Sequence, residues 1–355
     1  MITIKSIFHL SNVNKIRLRT VIYIAVFWTA IDLAIVLFRE DQQLHNKTLL
    51  FREGLIFLVS IIMGYIFVFR LRKMLRHFPL WLNFFAKSAI LLGSAFLITF
   101  ILHFSNSVFI QKLNAFEAYH QIQSYILYKD WLSQKIIYWM IIFFITQLIL
   151  IINEKYSPGV FMDILVGRYL NPKVETRIVM FMDLKDSTPI AEKLGHSVYF
   201  EFIRDFIYQV SQAVIEFDGI IYQYVGDEVV CSWNFAANNT RKCLDTVIQA
   251  RTNIQRKSNY FKNKYRMVPD FRVGIHVGEV TVGEIGVIKK DLAMSGDTMN
   301  TTARIRSACT ELEHHFIVSK AFVENIDLEK WQTESLGVIE LKGKESGLEL
   351  FTLKI

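Results

Sequence analysis

Two acidic residues stand where apolar runs end or break, a position from which carboxylates can do chemistry. Asp183 closes the run Thr176–Asp183 (TRIVMFMD), which is short, apolar and β-branched at its start, as a buried strand would be. Asp227 follows Gly226 in Ile221-Tyr-Gln-Tyr-Val-Gly-Asp-Glu-Val-Val-Cys-Ser-Trp233, where a glycine between two β-type runs reads as a hairpin tip. Taken singly, each acid is a solvated turn residue. If the first run lies beside the hairpin in one sheet, both acids emerge at the same edge. Converging carboxylates make a hard-cation site, and Mg²⁺ held by few protein ligands keeps waters and takes substrate phosphates. Asp186 and Glu228 lie close by, although strand alternation is expected to send Glu228 to the other side.

A third feature is Gly296-Asp-Thr-Met-Asn300-Thr-Thr-Ala-Arg304. Asn300 and Arg304 are four apart, so on a helix they project from one face. An arginine and an amide donor together suit a phosphoryl or ribose oxygen that gains charge in a transition state. Arg304 alone would be an ordinary surface arginine. Three separate elements pointing to phosphate and metal chemistry outweigh the bland reading of each.

The elements that must position these residues form an alternating α/β pattern after about residue 175. Ser187-Thr-Pro-Ile starts a helix, with hydroxyls to cap it and Pro189 in its first turn. Over Val198–Phe217 the residues Tyr199, Phe202, Ile203, Phe206, Val210, Val214 and Phe217 recur at helical spacing. The hairpin follows, then a polar helix over about 239–264. Strands are expected at Phe271–Val277 and Val280–Glu284, with a turn between them. A helix over Thr298–Cys309 and late strands at Phe316–Ser319, Gly337–Leu341 and Glu349–Leu353 complete the domain, 176–355. His276, inside the strand-turn-strand, reads as structural rather than as a general base.

The first half has another texture. Of 355 residues, 52% are hydrophobic, too many for an ordinary soluble chain. Val21–Phe38, Leu55–Phe69, Ser88–Phe104 and Ile136–Ile152 are nearly charge-free and close to the ~20 residues that span a bilayer. We therefore expect an N-terminal four-helix transmembrane domain over 1–152, with helices at about 20–38, 50–69, 82–104 and 136–152. The late, long first run is no cleaved signal peptide. Lys5, Lys15, Arg17 and Arg19 precede the first span, and Arg70, Arg72, Lys73 and Arg76 separate the second from the third. The segments 39–54 and 105–135 lack such clusters, which puts the N-terminus and the C-terminal domain on the cytoplasmic side of a multi-pass inner (plasma) membrane protein. The net charge of +7 then needs anionic lipid head groups rather than nucleic acid. Cys231, Cys243 and Cys309 all follow the last span, unpaired in spacing, as free thiols in a reducing compartment would be. Asp32 and Lys87 lie at membrane depth. Lys87 is expected to snorkel, and Asp32 has no evident role. Tyr156-Ser-Pro-Gly breaks the chain, and 153–175 reads as a signalling linker helix ending near Asn171-Pro172.

The ordered set Phe181-Met-Asp183-Leu-Lys-Asp-Ser-Thr188, Val225-Gly-Asp227-Glu, Gly274-Ile-His-Val-Gly-Glu279, Gly296-Asp-Thr-Met-Asn300 and Ala303-Arg304 resembles the motifs of the class III adenylate/guanylate cyclases. The resemblance covers about 175–355. It implies a ferredoxin-like βαββαβ core and two catalytic domains paired head to tail, with composite active sites at a homodimer interface. It further implies that Asp183, Asp227 and the backbone carbonyl of Leu184 hold two Mg²⁺ or Mn²⁺ ions, that Asn300 orients the ribose, and that Arg304 stabilises charge at the α-phosphate. Lys342, in Leu341-Lys-Gly343, matches the triphosphate lysine, with Lys344 as a close second. The reaction implied is ATP to 3′,5′-cyclic AMP and pyrophosphate.

Two base-reading positions depart from the family patterns. Adenylate cyclases carry a lysine where this chain has Gln223 and an aspartate or threonine where it has Ala293; guanylate cyclases show a glutamate and a cysteine. Gln223 can donate or accept. ATP is favoured because the guanine-type glutamate is absent, and GTP stands as the alternative. A diguanylate cyclase lacks support because Val225 replaces the first of that family's paired glycines. A non-catalytic nucleotide sensor would not need the full set of metal and transition-state residues. A transporter would need a better polar path than Asp32 and Lys87.

Overall fold

The computed structural model describes residues 11–38, 46–71, 74, 78–127, 129–155, 160–288, 290–326, 332–341 and 347–354. Lys342 and Lys344, Tyr156–Gly159 and much of the basic segment after Arg70 lie outside the described residues. Two compact units emerge, formed largely by Asn14–Lys155 and Tyr156–Ile355.

The first unit is helical: α1 (Asn12–Phe38), α2 (Asn46–Tyr65, continued as a π-helix over Ile66–Leu71), α3 (Leu80–Ser105), α4 (Ala115–Leu127) and α5 (Lys129–Lys155). Two stretches, Asn12–Leu37 and Leu49–Leu71, are long and apolar enough to cross a membrane among the described residues, and Ile137–Ile152 is a shorter apolar helix. The expected span boundaries change: α4 occupies what read as a connection, and the helix expected from 136 begins at Lys129. Trp28, Trp139 and Phe143 pack together at the centre, and the indole N–H of Trp28 donates to Thr146 Oγ1 at 2.9 Å. Asp32 acquires a role. It is buried and takes a 2.6 Å ion pair from Arg52, with the Tyr138 hydroxyl 3.5 Å from its other oxygen. A charge so enclosed is tolerated only when paired and hydrogen-bonded. Lys87 is buried as well, so the expected snorkelling side chain is enclosed by its own unit.

The second unit begins with the short helix α6 (Val160–Leu165), shorter than the linker helix expected. Then come β1 (Lys173–Leu184), α7 (Ser187–Leu194), α8 (His196–Glu216), β2 (Ile220–Val225), β3 (Glu228–Asn234), α9 (Ala237–Arg256) and α10 (Ser258–Tyr265). After these follow β4 (Phe271–Ile285), β5 (Asp291–Ser295), α11 (Asp297–Glu311), β6 (Phe316–Ser319), α12 (Lys320–Val323), β7 (Gln332–Ile339) and β8 (Leu348–Lys354). The sheet runs β2-β3-β1-β4-β6-β8-β7, with β5 hanging from β4. Its first four strands are antiparallel with helices between them, the expected βαββαβ core, and β4 pairs β6 in parallel, so the sheet is mixed.

Period-2 alternation sorts the strands into two faces. Met180, Met182, Val229, Cys231, Val273 and Ile275 point to one face, where Phe202, Phe206 and Val210 of α8 and Leu244 and Val247 of α9 cover them. Val179, Phe181, Val230, Val280 and Val282 line the other, with Met299 and Ala303 of α11 packed against them. The three cysteines are free and buried.

Two expectations fail here for identifiable reasons. The polar helix breaks near Lys257 into α9 and α10. The strands expected at 271–277 and 280–284 are one 15-residue strand with no turn at Gly278. Gly274 and Gly278 face α11, and a Cβ on Gly274 would stand 2.5 Å from the Arg306 backbone nitrogen. The glycines mark a close helix–strand approach. Gly274→Ala should thus force α11 off the sheet and cost at least about 1–3 kcal/mol, as overpacking does; a thermal or denaturant unfolding curve unchanged by the substitution would contradict the packing.

Candidate active site

Asp183 and Asp227 do meet at one edge. β1 lies between β3 and β4, in register with Met182 opposite Val229 and Asp183 opposite Arg272. Gly226 takes φ +62, a left-handed conformation that suits glycine, and turns β2 into β3 so that Asp227 stands at the tip. Burial pushes the Asp183 carboxyl up, Arg306 opposes this, and Asp227 beside it pushes the same way as burial. Asp227 Oδ2 is buried with no hydrogen-bond partner among the described residues.

Glu228 joins them, against expectation. It is buried and ion-paired with Arg306, whose Nε lies 2.7 Å from Glu228 Oε2 and whose Nη1 lies 3.4 Å from Asp183 Oδ2. Asp227 belongs to the turn, so alternation starts at Glu228, with Val229 inward and Glu228 on the same face as Asp183. Burial raises the Glu228 carboxyl and Arg306 offsets part of that. Arg272 flanks the acids on β4 and pairs with Asp186 at 3.5 Å; Asp186 itself sits at φ 55. Neither Arg272 nor Arg306 stood out in the sequence. The signals for them were there: Arg272 precedes Val273-Gly274, and Arg306 is two residues past Arg304.

Asn300 and Arg304 are on α11, exposed and half-buried respectively. The buried stripe of this helix carries Thr298, Thr301, Thr302, Ile305, Ala308 and Cys309. At 100° per residue, Arg304 and Arg306 flank that stripe on opposite sides, about 200° apart, and Asn300 lies on the Arg304 side. One helix therefore shows Arg306 to the acids of its own chain and turns Asn300 and Arg304 elsewhere. Gln223 is exposed on β2, and Ala293 is half-buried on β5, opposite Gly283 of β4. Their neighbours tie these strands together, since the Met294 N–H donates to the Tyr222 hydroxyl at 3.0 Å. The Leu184 side chain lies in the core, so only its backbone could serve an ion. His276 Nδ1 lies 2.7 Å from Ser319 Oγ, a contact to the neighbouring strand end that fits a structural residue.

The donor set suits a hard divalent cation. The residues that could hold one are Asp183 and Asp227, with the Leu184 carbonyl: an orphaned buried carboxylate oxygen beside a second carboxylate is a site that gains from a cation. Among the described residues no group of three or more His, Cys, Asp and Glu side chains converges as a metal cage. Two carboxylates alone leave coordination positions for water and substrate phosphate oxygens.

The family model described as "Adenylate and Guanylate cyclase catalytic domain" matches residues 171–354, more than half of the chain. The chain belongs to that family. Adenylate cyclase 2 of Rhizobium meliloti (strain 1021) is 30% identical over 207 residues, spanning 58% of this chain and 57% of that protein. The receptor-type guanylate cyclase gcy-10 of Caenorhabditis elegans is 20% identical over 205 residues, spanning 56% of this chain and 19% of that protein. The chain thus spans little more than half of the first relative and a fifth of the second. The structure of a bacterial light-regulated adenylyl cyclase matches with a TM-score of 0.54 at 16% identity, over 64% of this chain and 67% of that one, a likeness of fold. The cyclase domain is therefore β1 to β8, with the two aspartates at the edge of its βαββαβ half.

Asp227 as an amide could donate to Asp183 rather than repel it. Asp227→Asn should thus raise the melting temperature of the metal-free protein in detergent. It should also abolish the further stabilisation that Mn²⁺ is expected to give the wild type, about 2.7 kcal/mol at a hundredfold excess over Kd. Wild-type melting that ignores Mn²⁺ would count against the site.

Proposed function

We propose that this chain is a membrane-anchored adenylate cyclase, a lyase that converts ATP to 3′,5′-cyclic AMP and pyrophosphate at composite sites of a homodimer. The observation that carries this is the meeting of Asp183 and Asp227 at one sheet edge, one carboxylate oxygen buried and unpartnered, in a chain of the cyclase family. In the proposed reaction the ribose 3′-oxygen attacks the α-phosphorus, the bond to the bridging oxygen of the β-phosphate breaks, and the 3′ proton leaves to water. With two Mg²⁺ or Mn²⁺ ions bound, the 3′-hydroxyl loses its proton more readily and the triphosphate charge is neutralised.

The chain's own residues then divide the work. Asp183, Asp227 and the Leu184 carbonyl hold the ions. Arg304 stabilises charge at the α-phosphate and Asn300 orients the ribose. Lys342 grips the triphosphate. Because α11 turns Asn300 and Arg304 away from its own acids, a second copy must supply them, and two-fold symmetry makes two such sites. The tip between β4 and β5 supports an interface: Ile285 is 61% exposed, Val287 92% and Ile288 101%, an apolar cluster that a partner would cover.

Gln223 and Ala293 face the base. Gln223 can donate its amide to adenine, and no acidic acceptor for guanine stands there. The same side chain can present its carbonyl to guanine, which keeps GTP as the second reading.

The anchor is the first unit, 1–152, with α1, α2, α3 and α5 as four spans and 153–175 as the linker to the cyclase domain, 176–355. Tyr23, Leu58, Phe85 and Phe144 are exposed on these helices, the reverse of a soluble fold and suited to lipid. Lys15, Arg17, Arg19 and Arg70 support cytoplasmic placement of the N-terminus and the cyclase domain at an inner (plasma) membrane.

Membranes carrying the chain, given labelled ATP or GTP with Mn²⁺, should form cyclic AMP in preference to cyclic GMP. Asp227→Ala and Arg304→Ala should each be nearly inactive. Co-expressed, they should recover roughly a quarter of wild-type activity, because in a mixed dimer both lesions fall in one site. Isolated mixed dimers as inactive as either parent would overturn the shared site. For the base, Gln223→Glu with Ala293→Cys should move kcat/KM toward GTP, each exchanged hydrogen bond being worth about 1–3 kcal/mol. An unmoved ATP/GTP ratio would show that these positions do not touch the base.

A further inference from the structure

Arg306 has no part in the reaction as proposed, yet among the described residues it is ion-paired with both Asp183 and Glu228. Its guanidinium bridges Glu228, at 2.7 Å, and Asp183, at 3.4 Å. Three features make this more than a surface ion pair. Glu228 is buried and Asp183 only one-fifth exposed, so the contact is poorly screened. The backbone of Arg306 is pressed against Gly274 of β4, where even a methyl group would collide, so α11 cannot carry the charge away. Finally, Arg306 leaves one carboxylate oxygen of the cluster, Asp227 Oδ2, buried and without a hydrogen bond among the described residues.

The contact is also one that can be given up. Arg306 Nε and Glu228 Oε2 are close, but neither atom completes a hydrogen bond among the described residues, and the bond that Nη1 donates to Asp183 Oδ2 is long, at 3.4 Å. The side chain is 27% exposed, with a long flexible stem that can swing outward while its backbone stays fixed.

We propose that Arg306 is a tethered counter-cation of the metal site: it holds Asp183 and Glu228 in the metal-free protein and yields them when divalent ions bind. The proposal rests on the reading of Asp183 and Asp227 as metal ligands. A divalent ion arriving beside Asp183 meets a positive charge about 3–4 Å from its ligand, so its affinity is lowered until the guanidinium withdraws. Arg306 is thus a positioning residue that sets how much cation the site needs. It also steadies the acids against mutual repulsion while no ion is there.

The test is Mn²⁺ binding to the full-length protein in detergent, without nucleotide, read as loss of the free-ion EPR signal. Arg306→Met should tighten Mn²⁺ binding roughly tenfold, the Coulomb effect of one nearby charge at partial exposure. It should also lower the melting temperature of the metal-free protein and enlarge the rise that Mn²⁺ produces. Arg306→Lys, which keeps the charge, should stay near wild type in affinity. A purely structural Arg306 would lower stability in Arg306→Met while leaving Mn²⁺ affinity equal or weaker, and that result overturns the proposal. Asp183→Asn separates the two readings. If it abolishes Mn²⁺ binding while Arg306→Met leaves the affinity unchanged, the metal site stands and the counter-cation falls. If Mn²⁺ binding is absent in the wild type or indifferent to Asp183→Asn, both fall.

Discussion

Two carboxylates cannot share a half-buried sheet edge without a positive charge nearby, and the cyclase domain is arranged around that constraint. Asp183 is paired with Arg272 of β4, and its neighbour Met182 with Val229 of β3, so the end of β1 that carries it is held on both sides beside Asp227. Burial and repulsion both push its carboxyl toward the neutral form, and Arg306 and Arg272 push back. Those two arginines come from α11 and β4, elements far along the chain from Asp183. The long-range antiparallel register is therefore what gives a local pair of acids its chemistry.

The second consequence concerns α11. The helix is held at close quarters by glycines at Gly274 and Gly278, and the Thr298 hydroxyl donates to the Glu279 carbonyl at 2.6 Å, pinning its first turn. That rigid seat sets which flank each polar residue occupies. Arg306 falls toward the chain's own acids, while Asn300 and Arg304 fall on the other side. On the proposed roles, a single domain would hold two half-sites facing different ways, and a dimer would complete both. An exposed apolar tip between β4 and β5 agrees with it.

Most of the βαββαβ half was legible because its signals are local. TRIVMFMD is β1 but for its ends, the glycine tip is the hairpin, and the helical spacing over Val198–Phe217 matches α8. What misled was phase and ambiguity. Alternation that starts at Asp227, a turn residue, sends Glu228 to the wrong side. Gly278 reads as a turn because a glycine that admits a helix and a glycine that bends a strand look alike in sequence. β5 was missed because its pairing with β4 follows no strong alternating run. Arg306 does not stand out locally, since its partners, Glu228 and Asp183, are brought to it only by the sheet. In the first unit, four apolar runs were readable, but Asp32 made sense only once Arg52 was found beside it.

Charge counting links the site to the order in which its ligands would arrive. Asp183, Asp186, Asp227 and Glu228 with Arg306 and Arg272 sum to −4 + 2 = −2, so the arginines cancel half of the cluster's negative charge in the metal-free protein. Two divalent ions alone would reverse its sign, from −2 to −2 + 4 = +2, with both arginines still nearby. A nucleoside triphosphate carries about four negative charges at neutral pH and would restore the balance, so in the proposed site ions and nucleotide would favour one another's binding. An internal guanidinium on the acids strengthens that dependence, since it weakens ions that come alone and is free to turn toward phosphate once displaced. On the proposed reading, a cluster balanced in this way would stay folded without ions and hold them best when the nucleotide is there to use them.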